Sequence, residues 1–429
     1  MKKIVIALAA ILVNAIFAPS ASALPVFARQ TGFACNQCHF QHYPMLNAFG
    51  RSFKAGGFTM IGAQPKVEGD GLSMPDRLNL GVLTTLGIEK VSNGGGLSTD
   101  GVTPVDDSVN TPAGGGELSL FFGGRISENA GFLAEMGTAG TAGVTAAKLP
   151  MFYDIAEGTH AGLVFVTTDG QGAAHSYETM NTGASAVHKL MNIPGQVNQY
   201  VRAFSAAQYL NTATAAQGAS FVVNNDNYFV NVGKYAIPAA MGASTKGGSM
   251  RMTYMRAAAM FDVAGFDSGV GVQAFRGDDG VLAVATGTEA TMVDGQMQGQ
   301  VGTMPLGVYV SYGVAPVVNF TDAVGNHFNM GGVVDAKSLN IAAEVGVVPG
   351  IVTLMASCRA ANDGRVSAAN ENLTDNAVMV GLTYTLAMNM QISLAYTAQS
   401  GTAWDAANNV GGVEPAGKTT TALAMMVLF

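Results

Sequence analysis

The sequence predicts an all-β protein: an antiparallel transmembrane barrel of about 16 strands, roughly 18 if 199–210 also crosses, preceded by a short N-terminal segment. Three observations carry this. Apolar residues alternate with Gly, Ser, Thr, Asn and Glu through many short segments, the period of two that gives a strand one apolar face. Only 12% of the residues are charged while 48% are hydrophobic and evenly spread, unlike a soluble chain, in which about a quarter are charged. The chain ends Leu423, Met425, Val427, Phe429, an alternating strand that closes on an aromatic residue.

Taken in order, residues 1–23 read as a secretory signal peptide. Lys2 and Lys3 form its charged start, Ile4 to Phe17 its apolar core and Ala21-Ser22-Ala23 its cleavage site. The apolar run is shorter than the roughly 20 residues of a spanning helix. No later stretch qualifies either, because Ile341 to Cys358 contains Glu344 and a Pro349-Gly350 turn and reads as a hairpin.

Residues 24–66 form a second unit around Cys35-Asn36-Gln37-Cys38-His39. The C-x-x-C-H order is that of covalent c-type haem attachment: two thiols reach two vinyl groups on one edge of the ring, and the next residue brings an imidazole under the iron. Cys35 and Cys38 are the expected thioether anchors of one haem c, and His39 its proximal ligand and the residue that carries the redox chemistry. A zinc site would need a second closely spaced pair of ligands, and a thioredoxin-like pair a βαβ setting; neither is in the sequence. A disulfide across two residues gains little from loop closure. The third cysteine, Cys358, falls on a predicted strand and reads as a packing residue.

The segment is too short to bury a core of its own and needs a wall to pack against. Leu46, Phe49 and Phe53 share one face of a helical stretch that ends at Gly56-Gly57. Between Leu24 and Lys66 stand Arg29, Arg51, Lys54 and Lys66 with no Asp or Glu, and all 29 acidic residues lie beyond. The two parts carry charges of about +4 and about −14, so their fields favour association. Arg29, Arg51 and Lys54 are expected to pair with haem propionates or with lumen carboxylates such as Glu89, Glu117 or Glu135, or to remain solvated surface charges. For a distal ligand the candidates are Met60, far enough along the chain to wrap the ring, and His42, whose closeness to His39 makes opposite faces hard to reach. His160, His175, His188 and His327 fall in predicted loops or strand ends, where histidines ordinarily have no specific role.

After a linker at 67–76, residues 77–429 carry the barrel. Alternating faces run Leu78, Leu80, Val82, Thr84, Leu86, Ile88; Leu118, Leu120, Phe122; Leu149, Met151, Tyr153, Ile155; Leu339, Ile341, Val345, Val347; Val378, Val380, Leu382; and Ile392, Leu394, Tyr396. The opposite faces are too polar for a sandwich core and suit a wet lumen. Short links at 127–129, 156–158, 263–265, 349–350 and 387–389 contrast with long ones at 91–116, 169–198, 362–375 and 400–418, the barrel pattern of short periplasmic turns and long external loops. Asp106, Asp107, Asp278 and Asp279 on external links would attract a cation.

Phe27-Ala28-Arg29-Gln30-Thr31-Gly32, the C-x-x-C-H, Asn47-Ala48-Phe49-Gly50-Arg51 and Phe53-Lys54, followed by a porin-like barrel, resemble the fused monohaem cytochrome-porins of iron-oxidising bacteria. The specific motifs span about residues 27–57, and the terminal strand looks like that of outer-membrane barrels. The resemblance implies an integral outer-membrane oxidoreductase with its haem segment plugging the lumen near the periplasmic side. Extracellular Fe(II) would be its donor and a soluble periplasmic c-type cytochrome its acceptor, with no nucleic-acid partner. Two other expectations stand beside it: a diffusion porin with a non-metabolic haem plug, and the same conduit with a different external donor.

Overall fold

The computed structural model describes residues 25–62, 64–70, 72–93, 107–110, 118–137, 143–183, 205–212, 215–237, 249–278, 285–320, 323–329, 332–409 and 414–429. The expected signal peptide, Asp106, Glu117, His188 and Asp279 lie outside them.

Sixteen long strands close one antiparallel barrel. They are β1 Asn79–Val91, β2 Leu118–Arg125, β3 Gly131–Gly137, β4 Gly143–Ala156, β5 Thr159–Thr168 and β6 Ala216–Asn224. Next come β7 Tyr228–Ala236, β8 Met252–Val263, β9 Phe266–Arg276, β10 Ala290–Val301 and β11 Met304–Ala315. The last are β12 Ala336–Val348, β13 Val352–Val366, β14 Asn376–Ala387, β15 Met390–Ser400 and β16 Thr419–Leu428. Each pairs with the next, and β16 returns to β1 with Thr420 opposite Val91 and Leu428 opposite Leu83. The C-terminal Phe429 exchanges backbone hydrogen bonds of 2.6 and 2.9 Å with Val82. A closed barrel leaves no strand edge to satisfy in lipid.

The alternation places apolar side chains outward. On β12, Leu339, Ile341 and Val347 are exposed on the outer surface, whereas Ser338, Asn340 and Glu344 are buried in the lumen. Cys358 on β13 also faces outward. This is the inverse of a soluble sheet and the expected order for a wall with lipid outside. The short turns tighten as the sequence implies: Ala264 and Gly265 both have positive φ, 53° and 82°, as a two-residue hairpin turn of the right twist requires.

Two expectations are corrected, and the linker takes a definite form. Residues 205–212 do not span but form a buried turn of helix inside the barrel, because Ser205 caps it and Ala206, Ala207 and Leu210 find an apolar nest against β11 and β12. The linker 67–76 is a hairpin, Lys66–Gly69 against Leu72–Pro75, whose Ser73 holds the Arg125 guanidinium. The link 362–375 contracts to a tight connection, since β13 runs on to Val366 and pairs with Asn372–Thr374.

The lumen is crossed by three layers. At the short-turn end lies the N-terminal segment, with α1 Pro25–Thr31, α2 Cys35–Cys38 and α3 Ala48–Ala55. Above it residues 169–183 fold inward, joined to the segment by Asn181, whose side chain bonds both the N–H and the C=O of Leu46 at 2.8 and 3.0 Å. This loop is held to the wall by the buried Arg256, which reaches Glu178 at 2.8 Å and Asp294 at 2.5 Å. Towards the long-loop end Asp375 gathers Tyr209, Arg359 and Trp404 at 2.7–2.9 Å.

Candidate haem centre

The C-x-x-C-H begins on a single helical turn, and its exit is fixed by neighbours. Asn47 caps α3 by accepting from the Gly50 N–H at 2.9 Å, and its amide donates back to the carbonyls of Asn36 and Gln37. Gly50 then lies against the turn so closely that a Cβ there would sit 2.1 Å from the Cys38 carbonyl oxygen. Only glycine permits that approach. Gln30, fully buried, donates to the carbonyls of Phe58 and Met60 at 2.7 Å and accepts from the Arg125 N–H, tying α1 to β2.

His39 Nδ1 lies 3.1 Å from the Met45 carbonyl oxygen, a contact that puts the proton on Nδ1 and leaves the lone pair on Nε2. This is the second contact that orients metal-binding imidazoles. Burial pushes the His39 imidazole down to about 4, against the raising effect of the Met45 and Pro44 carbonyls, so it is neutral at ordinary pH. Burial also raises both thiols to about 11, with Cys35 donating to the Met388 carbonyl at 3.0 Å.

Cys38 and His39 wall a cavity of ≈ 470 Å³, within the range of about 300–1,000 Å³ typical of small-molecule and cofactor sites. Its body is apolar: Phe27, Phe53 and Phe58 from the segment face Leu83, Phe121 and Met426 from the wall. Its polar lining includes Lys54, Lys148, Glu135 and His175. Burial lowers Lys54 to about 8, opposed by Glu178. Lys148 is 5% exposed and donates to the His175 carbonyl at 3.2 Å, while Glu135 already accepts from Ser119 and Gln171. The cavity extends along the wall to Leu118, Gly137 and Thr145 at the loop-side ends of β2–β4, and to Asp169 just past β5. Among the described residues no three His, Cys, Asp or Glu side chains converge as a metal cluster. A porphyrin brings four nitrogens of its own and asks the chain for one or two ligands, so His39, Cys38, the apolar body and the two lysine side chains fit a haem, while Cys35 packs beside the cavity against Ala28 and Met388.

The other candidates are placed elsewhere. His42 is spoken for: Nδ1 donates to the Tyr43 carbonyl at 3.0 Å and Nε2 lies 2.6 Å from Glu344, so no lone pair remains for iron. Met60 is 42% exposed and lines a different cavity, of ≈ 680 Å³, at the short-turn rim. Arg29 donates to the Leu80 carbonyl, and Arg51 to Asp267 and Gln298, so neither aims into the haem cavity; Lys54 does. Asp107 and Asp278 are engaged by Lys90 and Arg251. The sequence reads His175 as a loop histidine with no specific role and does not single out Lys148. Alternation around Leu149 does put Lys148 on the lumen face, but nothing local marks His175.

No family model and no curated protein matches the sequence. Among solved structures the fold is similar to OprB of Pseudomonas putida, with a TM-score of 0.52 at 11% identity, covering 82% of this chain and 94% of that one. An anion-selective porin from Comamonas acidovorans matches with a TM-score of 0.49 at 12% identity, over 82% and 99% of the two chains. OmpT of Vibrio cholerae matches at 0.48 and 11%, over 85% and 100%. Likeness at such identities is one of fold, and the fold is a porin-like outer-membrane barrel.

Proposed function

We propose that this chain is an outer-membrane electron conduit of the fused monohaem cytochrome-porin kind, which oxidises extracellular Fe(II) and reduces a soluble periplasmic c-type cytochrome. The observation that carries this reading is the lumen cavity that joins the Cys38-His39 wall to the loop-side ends of β2–β4. Cys35 and Cys38 would hold one haem c by adding each S–H across a vinyl group. His39 would ligate its iron through Nε2, and Lys54 with Lys148 would neutralise the propionates. Bound there, the haem supplies a one-electron couple that side chains lack, one substrate Fe(II) leaving as Fe(III) for each electron that reaches the acceptor.

The chain's own residues do the rest. The Met45 carbonyl fixes the imidazole, and Phe27, Phe53, Phe58 and Phe121 would keep water from the bound group. The hydrocarbon band of an outer membrane is about 25 Å tall, so a redox centre inside the lumen shortens the path from both sides. The buried ion pairs of Arg256 hold the inward loop to the wall, and Asp375, paired with Arg359, holds Tyr209 and Trp404, so inward segments narrow the lumen.

Stopped-flow spectroscopy of the oxidised, detergent-purified protein mixed anaerobically with Fe(II) tests the reading. Reduction of c-type bands that saturates with iron, and is lost in His39→Ala with the barrel intact, is expected. Bands that stay oxidised with Fe(II) but respond to another reductant would transfer the role to a different donor. Absence of covalent haem, with large ion conductance in a planar bilayer, would leave a diffusion porin.

A further inference from the structure

We propose that His175 is the second axial ligand of the haem iron, on the ring face opposite His39; this rests on the haem reading above. His175 closes the short helical turn Ala173–His175 in the inward loop and lines the same cavity as Cys38 and His39. Its side chain is 8% exposed, Nδ1 is fully buried, and among the described residues neither ring nitrogen has a hydrogen-bond partner.

The neighbours in that loop are mostly engaged. Ser176 bonds the Ala173 carbonyl, Glu178 pairs with Arg256, Asn181 with Leu46 and Thr182 with Asp294. The His175 backbone is fixed too, its N–H on the Gly172 carbonyl at 3.1 Å and its C=O under Lys148 at 3.2 Å. The loop thus holds this imidazole at the cavity and gives it nothing to bind.

Topology supplies the other half. Two ligands of one iron must approach from opposite faces of a planar ring, and His39 comes from the N-terminal segment whereas His175 comes from the layer above it. His42, three residues from His39, has both nitrogens engaged, and Met60 faces a different cavity. Met426 also lines the haem cavity, but it packs among Val26, Leu83 and Phe121.

The test is electron paramagnetic resonance and near-infrared magnetic circular dichroism of the purified ferric protein, full chain, in detergent. Covalent haem is checked by pyridine haemochrome and barrel integrity by heat-modifiable electrophoresis. The expected wild-type signature is low-spin iron with two imidazoles. His175→Gly should turn high-spin and return to low-spin on adding imidazole. His175→Met, the variant to use if the glycine form does not fold, should convert to a His/Met signature with a more positive midpoint potential. High-spin wild type, a wild-type His/Met signature pointing to Met426, or a two-imidazole signature that survives in the His175 variants would overturn the inference while leaving the haem reading standing. Wild type without covalent haem would overturn both.

Discussion

The N-terminal segment has two sides, and they are finished to different degrees. Towards β9–β13 its charged groups are met: Arg51 by Asp267 and Gln298, and His42 by Glu344, which also accepts from Tyr309, while Gln41 Nε2 is buried there with no hydrogen-bond partner among the described residues. Towards β16 and β1–β4 it fronts a cavity, with the lone pair of His39, the ammonium groups of Lys54 and Lys148, and an imidazole without a partner. One side has its charges paired when the chain folds, and the other has the chemistry of a ligand site. Buried polar groups are ordinarily satisfied, so the contrast locates where a further group belongs.

Breaking the unfinished side removes function without removing the fold. Cys35→Ser with Cys38→Ser should abolish covalent haem, seen as loss of haem stain after denaturing electrophoresis, while the β-sheet circular dichroism persists. A variant that still carries covalent haem contradicts the assignment. Breaking the finished side should do the opposite. Glu344→Ala strands His42 and Tyr309, and removing one partner of a buried pair costs about 3–5 kcal/mol. Urea unfolding of the detergent-folded barrel measures that loss.

The same pair gives the finished side a pH dependence. Burial alone would lower His42, but the Glu344 carboxylate beside it and the Tyr43 carbonyl raise it above its ordinary value of about 6.5. The stabilisation is therefore fully present below that value and is lost as pH rises through the raised folded-state pKa. Melting curves on either side should show it, and His42→Ala should flatten the profile. A profile unchanged by the substitution counts against the pair.

Smaller effects sharpen the contrast. Lys148→Met removes a positive charge at the haem cavity and should lower the midpoint potential in a redox titration with the barrel intact. No shift would place the lysine away from the haem. Arg29→Ala gives up one exposed bond to the Leu80 carbonyl and should cost about 0.5–1.5 kcal/mol, with no change in the haem spectrum.

The barrel was legible because a wall with lipid on one face writes its period into every strand, as at Leu339, Ile341 and Val347, and because Phe429 ends the last one. Legibility fell across β6–β11, where residues such as Ala257, Gly271 and Gly295 weaken the alternation. Cys35, Cys38 and His39 stand out because covalent haem attachment demands such adjacent positions. The distal side does not, since His175 and Lys148 reach the cavity through tertiary folding of an inward loop and a neighbouring wall. Local spacing named Met60 and His42 instead, one turned to another cavity and the other engaged by Glu344.

The most direct measurement places the full chain in liposomes with an oxidised c-type cytochrome and an impermeant Fe(II)-specific chelator trapped inside, and adds Fe(II) outside. A conduit reduces the trapped cytochrome with no colour from the chelator, and loses that activity in His39→Ala. Chelator colour preceding cytochrome reduction, equal in wild type and His39→Ala, would mean that iron itself crosses, and would contradict the account.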